Sequence, residues 1–193
     1  MAAAALSPRE VSVLSGTPRH VVEKAIEEGV LRVRNPARKN GRRMLPTHAT
    51  VYAALVSKLD LKLSSAHKKR LYKEISRLGP RDMSKARIEV ASAVEIDVGR
   101  LVGDVLERAE RYLEVRDASI TIDEAIMGGT PVIRGTRMTV YSVLGRIEHG
   151  ETVDDVLADN PDLKRETIEA AITYARSHPP MGRPSGRPWV DVA

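Results

Sequence analysis

The chain has no cysteine, no phenylalanine and a single tryptophan, Trp189, among its 193 residues. Without cysteine there is no disulfide and no thiolate metal site, which fits a reducing cytoplasm. Without Phe, the cores have to be built from Leu, Val, Ile and Ala, and little aromatic surface is left for stacking single-stranded nucleic acid. No apolar run approaches the roughly 20 residues of a membrane-spanning helix. The opening residues, MAAAALSPRE, lack the basic n-region and long apolar stretch of a secretory signal. A bacterial cytoplasmic protein with no membrane association is expected. The histidines (His20, His48, His67, His149 and His178) are scattered without metal-ligand spacing, and no nucleophile–base–acid set stands out. Neither an enzyme nor a cofactor or metal is expected.

Charge is present, and it is divided unevenly. Residues 1–86 hold 18 Lys and Arg against 7 Asp and Glu, a net +11; residues 87–193 hold 13 against 19, a net −6. A basic front half suits phosphate. An acidic back half suits a basic or neutral protein partner instead.

Leu6 to Leu45 has the pattern of a DNA-binding head. Ser7, Pro8 and Glu10 form a capping-box start, and Val11 and Leu14 face inward until Gly16. Thr17-Pro18 repeats the start signal for a second helix that buries Val21, Val22, Ala25 and Ile26 and ends at Gly29. Two short helices about a tight turn make a helix-turn-helix, with Arg19, His20 and Lys24 exposed on the second for DNA. Next come an alternating run at 30–34, a turn at 35–41 and a return at 42–45. That reads as a β-wing whose cations are Arg32, Arg34, Arg38, Lys39, Arg42 and Arg43. A charge run by itself is a solvated face; on a hairpin behind a helix-turn-helix it is a phosphate surface. The order of helix, turn, helix and basic wing resembles the winged helix-turn-helix head of MerR-like regulators.

The connector, residues 47–118, starts with a helix from Thr47 and another from Ser64 or Ser65, the latter stopped by Gly79-Pro80. Its outward lysines, 68, 69 and 73, read first as a solvated face. Residues 87–97 predict a small hairpin. From Asp97 one long helix is expected, with Val98, Leu101, Val102, Val105, Leu106, Ala109, Tyr112 and Leu113 on one stripe and Asp104–Arg108 and Glu107–Arg111 paired opposite. That stripe is either core between the halves or a dimer seam.

Ile120 to Arg137, ITIDEAIMGGTPVIRGTR, is the most distinctive run: two short apolar alternations interrupted by Gly128-Gly129, Pro131 and Gly135. Its glycines fit neither a Walker loop nor a dinucleotide fingerprint. Three helices follow: Val140 to Gly150, a short one capped by Thr152 and Asp155 and stopped at Asn160-Pro161, and a last one carrying Ile168, Ala171, Ile172 and Ala175. Residues 138–178 carry 4 basic and 8 acidic groups, so this second bundle is a poor DNA reader. Asp154-Asp155 is helix-start charge rather than a catalytic pair. The tail from His178, rich in Pro, Gly and Arg, reads as an extended arm. The expected fold is therefore mainly α: two small helix-turn-helix-like domains, 1–46 and 119–178, with a wing, a hairpin and a helical connector, then the tail 179–193.

GGTPVIRGTRMTVYSVL, followed by GETVDDVLADNPDLKRETIEAAITYA, resembles a small helical domain of formerly unknown function found in VapB-type antitoxins. The residues that carry the likeness are Gly129, Pro131, Arg134, Gly135, Thr136 and Arg137, then Tyr141 and Val143. Lys164 departs from it, standing where a helix-capping Ser, Thr or Asp is expected. The resemblance implies a cognate PIN-like ribonuclease toxin as partner and operator DNA as the target of the head. It also implies a homodimer or a toxin–antitoxin hetero-oligomer. Arg134, Arg137, Arg183, Arg187 and Trp189 are the candidates for contact with the toxin; for Arg134 and Arg137 the alternative is an ion pair fastening the loop to the helices. The rival function is a stand-alone MerR-like repressor that answers a small ligand.

Overall fold

The computed structural model describes residues 5–33, 43–59, 62–92 and 94–180. Among them the protein is mainly helical, with two small antiparallel sheets of two strands each.

The capping box forms as expected. The Ser7 hydroxyl accepts from the Glu10 amide at 3.2 Å, and the Glu10 carboxylate accepts from the Ser7 amide at 2.7 Å, opening α1 (Pro8–Ser15). Gly16 ends it at φ +63, and the Thr17 amide donates back to the Ser12 carbonyl at 3.1 Å. Thr17, expected to cap α2 (Arg19–Glu27), does not. It is buried, its hydroxyl donates to the Ser15 carbonyl, and Pro18 stands at the cap position.

The chain around the expected wing runs differently from the alternation pattern. Arg34, Arg38, Lys39 and Arg42 lie outside the described residues. On the near side, the Val30 and Leu31 amides both donate to the Ala25 carbonyl at 3.0 Å, so the chain folds under α2 instead of opening a strand. On the far side, Leu45 pairs with Leu6, with N–H···O distances of 2.7 and 2.8 Å. Burial decides both: Val30, Leu31, Leu6 and Leu45 are all in the core, and each apolar side chain removed from water contributes roughly 1.5–3 kcal/mol.

The helix α3 (His48–Lys58) is the centre of this half. Every residue from Ala49 to Leu55 is buried, which fits a helix surrounded on all sides rather than lying on one face. Thr47, predicted as its cap, makes no side-chain cap bond. In α4 (Ser65–Ile75), Ser64 does cap, accepting from His67, and Leu71 and Ile75 point inward. A one-turn helix, α5 (Pro80–Met83), precedes the hairpin of β1 (Arg87–Ala91) and β2 (Val94–Asp97), in which Ile88 faces Ile96.

The long helix expected from Asp97 is broken in two, α6 (Val98–Val102) and α7 (Val105–Ser119). Asp97 caps the first as predicted, accepting from Arg100 at 2.9 Å. The break is enforced by the chain that α6 packs on. The Val98 and Gly99 amides both donate to the Ala86 carbonyl, and a Cβ on Gly99 would stand 2.2 Å from the Ser84 carbonyl oxygen. Val98, Val102, Val105, Leu106, Ala109, Tyr112 and Leu113 are buried within the chain, so the stripe is core.

The signature run opens in a two-stranded sheet and passes through it again before its final turn. In it β3 (Ile120–Thr121) pairs with β4 (Val132–Ile133), Ile120 opposite Ile133. The bundle behind it is α8 (Val140–Glu148), α9 (Val153–Asp159) and α10 (Arg165–Ser177), with the Thr152–Asp155 capping box in place and no side-chain cap from Lys164. One apolar cluster takes in residues from Leu6 to Leu113 and another from Ile120 to Ala175, but Ala170 of α10 belongs to the first. Helix α10 therefore packs on α1 and α7 as well as on α8 and α9. Among the described residues no helix is long and apolar enough to cross a membrane.

Candidate nucleic-acid and partner interface

Arg19 stands on the first turn of α2, exposed, because Val22 and Ala25 turn the opposite side of the helix into the core. Its Nε and Nη2 donate to one oxygen of Glu23, at 3.2 and 3.1 Å, and Arg43 donates to the other at 3.1 Å. The two guanidinium side chains are 55 and 58% exposed, and pairs in that setting contribute about 0–1 kcal/mol. A phosphate can therefore replace Glu23 at little cost. His20 and Lys24 are exposed and have no hydrogen-bond or ion-pair partner among the described residues. Arg32 sits apart from this group, in a hollow of about 390 Å³ that it shares with Lys69 and Lys73 of α4. The neighbouring Lys68 is committed elsewhere, to Glu28 at 2.8 Å.

The head is bolted to the rest of the molecule by a buried carboxylate. Glu10 is 1% exposed. Its Oε1 accepts from the Tyr112 hydroxyl and from Arg116, both at 2.8 Å, while Oε2 serves the capping box. Burial by itself raises a carboxyl's pKa, but here the Arg116 charge, the Ser7 amide and the Tyr112 hydroxyl outweigh it and hold Glu10 below its ordinary value. For Arg116, burial works toward a lower pKa and the Glu10 charge and hydrogen bond reverse it, raising it. Burial, with the Glu10 charge added, pushes the Tyr112 phenol up.

The signature residues build a turn. The Thr136 amide donates to the Ile133 carbonyl at 3.0 Å, and the Ile133 amide to the Met138 carbonyl at 2.9 Å. Gly135 lies at φ +77, a position that a side chain would strain. The Thr136 hydroxyl locks the turn from inside, donating to the Ile133 carbonyl and accepting from the Met138 amide. Pro131 offers its carbonyl to the Val140 amide, which aligns α8. Arg134 and Arg137 are thereby thrown outward. Arg134 donates to the Asp117 carbonyl near the end of α7 at 3.3 Å, where a cation meets the negative end of the helix dipole; it makes a hydrogen bond to backbone, not the ion pair offered as the alternative. Arg137 is exposed with no hydrogen-bond or ion-pair partner among the described residues. Arg183, Arg187 and Trp189 lie outside those residues.

The acidic bundle uses its own cations. Arg165 pairs with Asp154 across the α9–α10 turn, and Arg146 holds Glu151 and Asp159. Lys164 at the start of α10 and Arg176 in its last turn are exposed and have no ion-pair partner among the described residues, within a bundle that is acidic as a whole.

The fold also brings together residues that lie far apart in the sequence. A groove of about 1200 Å³ runs between the basic turn of α2 and the C-terminal bundle. Arg19, His20, Lys24 and Arg43 lie along it with Gly129 and Pro131 of the signature, and Tyr141, Tyr174 and His178 complete it. Tyr141 donates to the His178 carbonyl at 2.8 Å, and the Tyr174 and His178 rings stack with centroids 4.2 Å apart. The buried Glu10–Tyr112–Arg116 set is not apparent from the sequence pattern, although Arg116, four residues after Tyr112, puts a charge on the apolar stripe of α7. The groove has no local signal, since its walls come from opposite ends of the chain. Among the described residues no three of His, Cys, Asp or Glu converge as a metal site.

Residues 120–175 match a family described as a protein of unknown function, DUF433. An uncharacterised protein, y4eO, of Sinorhizobium fredii (strain NBRC 101917 / NGR234) is 36% identical over 88 residues. That stretch is 46% of this chain, and the chain spans only 39% of the relative. A crystal structure of Rv2018 from Mycobacterium tuberculosis is 16% identical, covering 87% of this chain and 96% of that one, with a TM-score of 0.35.

Proposed function

We propose that this chain is the antitoxin of a type II toxin–antitoxin pair, which neutralises a PIN-like ribonuclease and represses its own operon. The antitoxin half of this reading rests on the resemblance carried by the signature residues Gly129 to Arg137. The repressor half is carried by one observation: α1 and α2 meet at a tight glycine turn, and α2 holds Arg19, His20 and Lys24 exposed at its start, in a half of the chain with net charge +11. The first residues of the second helix are those that reach base edges in a helix-turn-helix. Arg43, paired with the same Glu23 as Arg19, supplies a further phosphate contact. The acidic bundle, with 8 acidic groups against 4 basic ones over residues 138–178, is suited to cover a positively charged nuclease surface, with Arg137 free to reach a carboxylate of a metal site.

The repressor half is tested by titrating the chain with DNA from immediately upstream of its own reading frame at several salt concentrations. Replacing Arg19, Lys24 and Arg43 with Ala should flatten the log–log slope by roughly 0.9 for each phosphate that is no longer neutralised. Binding that is absent, or a slope that these substitutions leave alone, contradicts the DNA assignment.

A second reading, a repressor that answers a small ligand, would place that ligand among the two tyrosines and His178 at the end of the groove, beside the DNA residues of α2. A small molecule bound there would touch the helix that reads DNA.

A further inference from the structure

The groove between α2 and the signature loop has two chemically different walls. One is basic, from Arg9, Arg19, Lys24 and Arg43, opposed only by Glu23 and Glu27. The other is apolar, from Ile122, Pro131 and the Tyr141 ring. We propose that this groove is a docking site for an extended peptide segment of a protein partner, one that carries acidic and aliphatic side chains together. The basic wall shares Arg19, Lys24 and Arg43 with the DNA assignment, so peptide and DNA compete for it, but the peptide site does not require that α2 read DNA.

Three observations select that occupant. The first is exposure. Among the described residues the large apolar side chains left in solvent are Val94, Ile122 and Met127; Ile122, at 59%, lines the groove, and Met127, at 53%, stands on the same loop outside it. Apolar side chains gathered on one exposed loop mark a contact surface more often than scattered ones do. The loop is also held in a conformation that costs energy. Met127 lies at φ +49 ahead of Gly128 and Gly129 at +61 and +76, and a side chain in the left-handed region is strained by about 1–2 kcal/mol. Hydrogen bonds from Ile126 to Asp123 and from Gly129 to Ile126 fix it there. Strain kept in a loop that displays apolar residues is the pattern of a binding element.

The second is size. Sites for small ligands enclose roughly 300–1,000 Å³; this groove, of about 1200 Å³, is open to solvent and runs across α1, α2, the signature loop, α8 and α10, a span that suits a chain segment. The third is what the aromatic rings are doing. Tyr174 is stacked on His178 and Tyr141 is hydrogen-bonded through its hydroxyl to the backbone. The rings are tied to this end of α10, and an unstacked base would have to compete with that contact. Carboxylates remain the natural partners of the basic wall: an incoming acid replaces Glu23 between Arg19 and Arg43, while an aliphatic neighbour covers Ile122.

The experiment is selection of a phage-displayed library of random 12-residue peptides on the immobilised full chain, followed by synthesis of an enriched peptide and measurement of its affinity. Enriched sequences should combine Asp or Glu with Leu, Ile or Val. Ile122→Asp and Lys24→Glu should each weaken binding by about tenfold or more, as truncation of a central anchor does. Arg165→Glu, on the acidic bundle away from the groove, should leave it unchanged. Both Ile122 and Lys24 are exposed, so the folded state tolerates the changes, and thermal melts verify it. No enrichment, enriched peptides without acids, or affinity that Ile122→Asp and Lys24→Glu leave intact overturns the proposal. Ile122→Asp also separates the two assignments, since it removes peptide binding while leaving affinity for the upstream DNA at its original level.

Discussion

The Glu10 carboxylate closes the cap of α1 with one oxygen and grips Tyr112 and Arg116 of α7 with the other, in nearly complete burial. Removing one partner of such a pair leaves an uncompensated charge inside the protein. Arg116→Met should therefore lower unfolding free energy by about 3–5 kcal/mol, and adding Glu10→Gln to it should regain part of that stability. Chemical denaturation decides it, and a decrease of less than about 1 kcal/mol would class the pair with exposed ones. The pH dependence follows from the direction of the Glu10 shift. Its folded pKa is depressed, so its contribution is complete above the ordinary carboxylate range and disappears as pH falls through the lowered folded value. In acid melts the native protein should lose stability across that window, and Glu10→Gln should lose less.

The elements repeat a simple lesson about local and non-local signals. Most starts written within four residues are readable: Ser7 to Glu10, Ser64 to His67, Thr152 to Asp155 and Asp97 to Arg100 form the bonds that their spacing implies, while Thr17 and Thr47 do not cap. The three-helix bundle is legible for the same reason. Contacts with distant backbone carry no such local sign. The break between α6 and α7 depends on the carbonyls at Ser84 and Ala86, and the pairing of Leu45 with Leu6 spans the whole head. The same limit hides half of the candidate site: the basic turn of α2 is readable, but its apolar counterpart at Ile122 and Tyr141 is brought alongside by packing of α10 on α1. The first break is directly testable. Gly99→Ala forces a methyl group against the Ser84 carbonyl and should cost about 1–3 kcal/mol or more, as overpacking does. A melting temperature that does not move would mean that α6 is free to shift away.

At the scale of the molecule, a front half of +11 and a back half of −6 are joined through α10, which belongs to both cores. The surface proposed for phosphate and the one proposed for a protein are joined by packing, with Glu10 and Arg116 tying α1 to α7 and α10 packing on both. The groove lies where the two halves meet. The function proposed for the acidic half is to silence a ribonuclease. The most direct measurement is the RNA-cleaving activity of the product of the adjoining reading frame, purified through a tag on this chain and assayed before and after the two are separated. A small nuclease should co-purify, be silent in the complex and cleave RNA once released. A neighbouring product that does not bind, or that cleaves equally in both states, would contradict it.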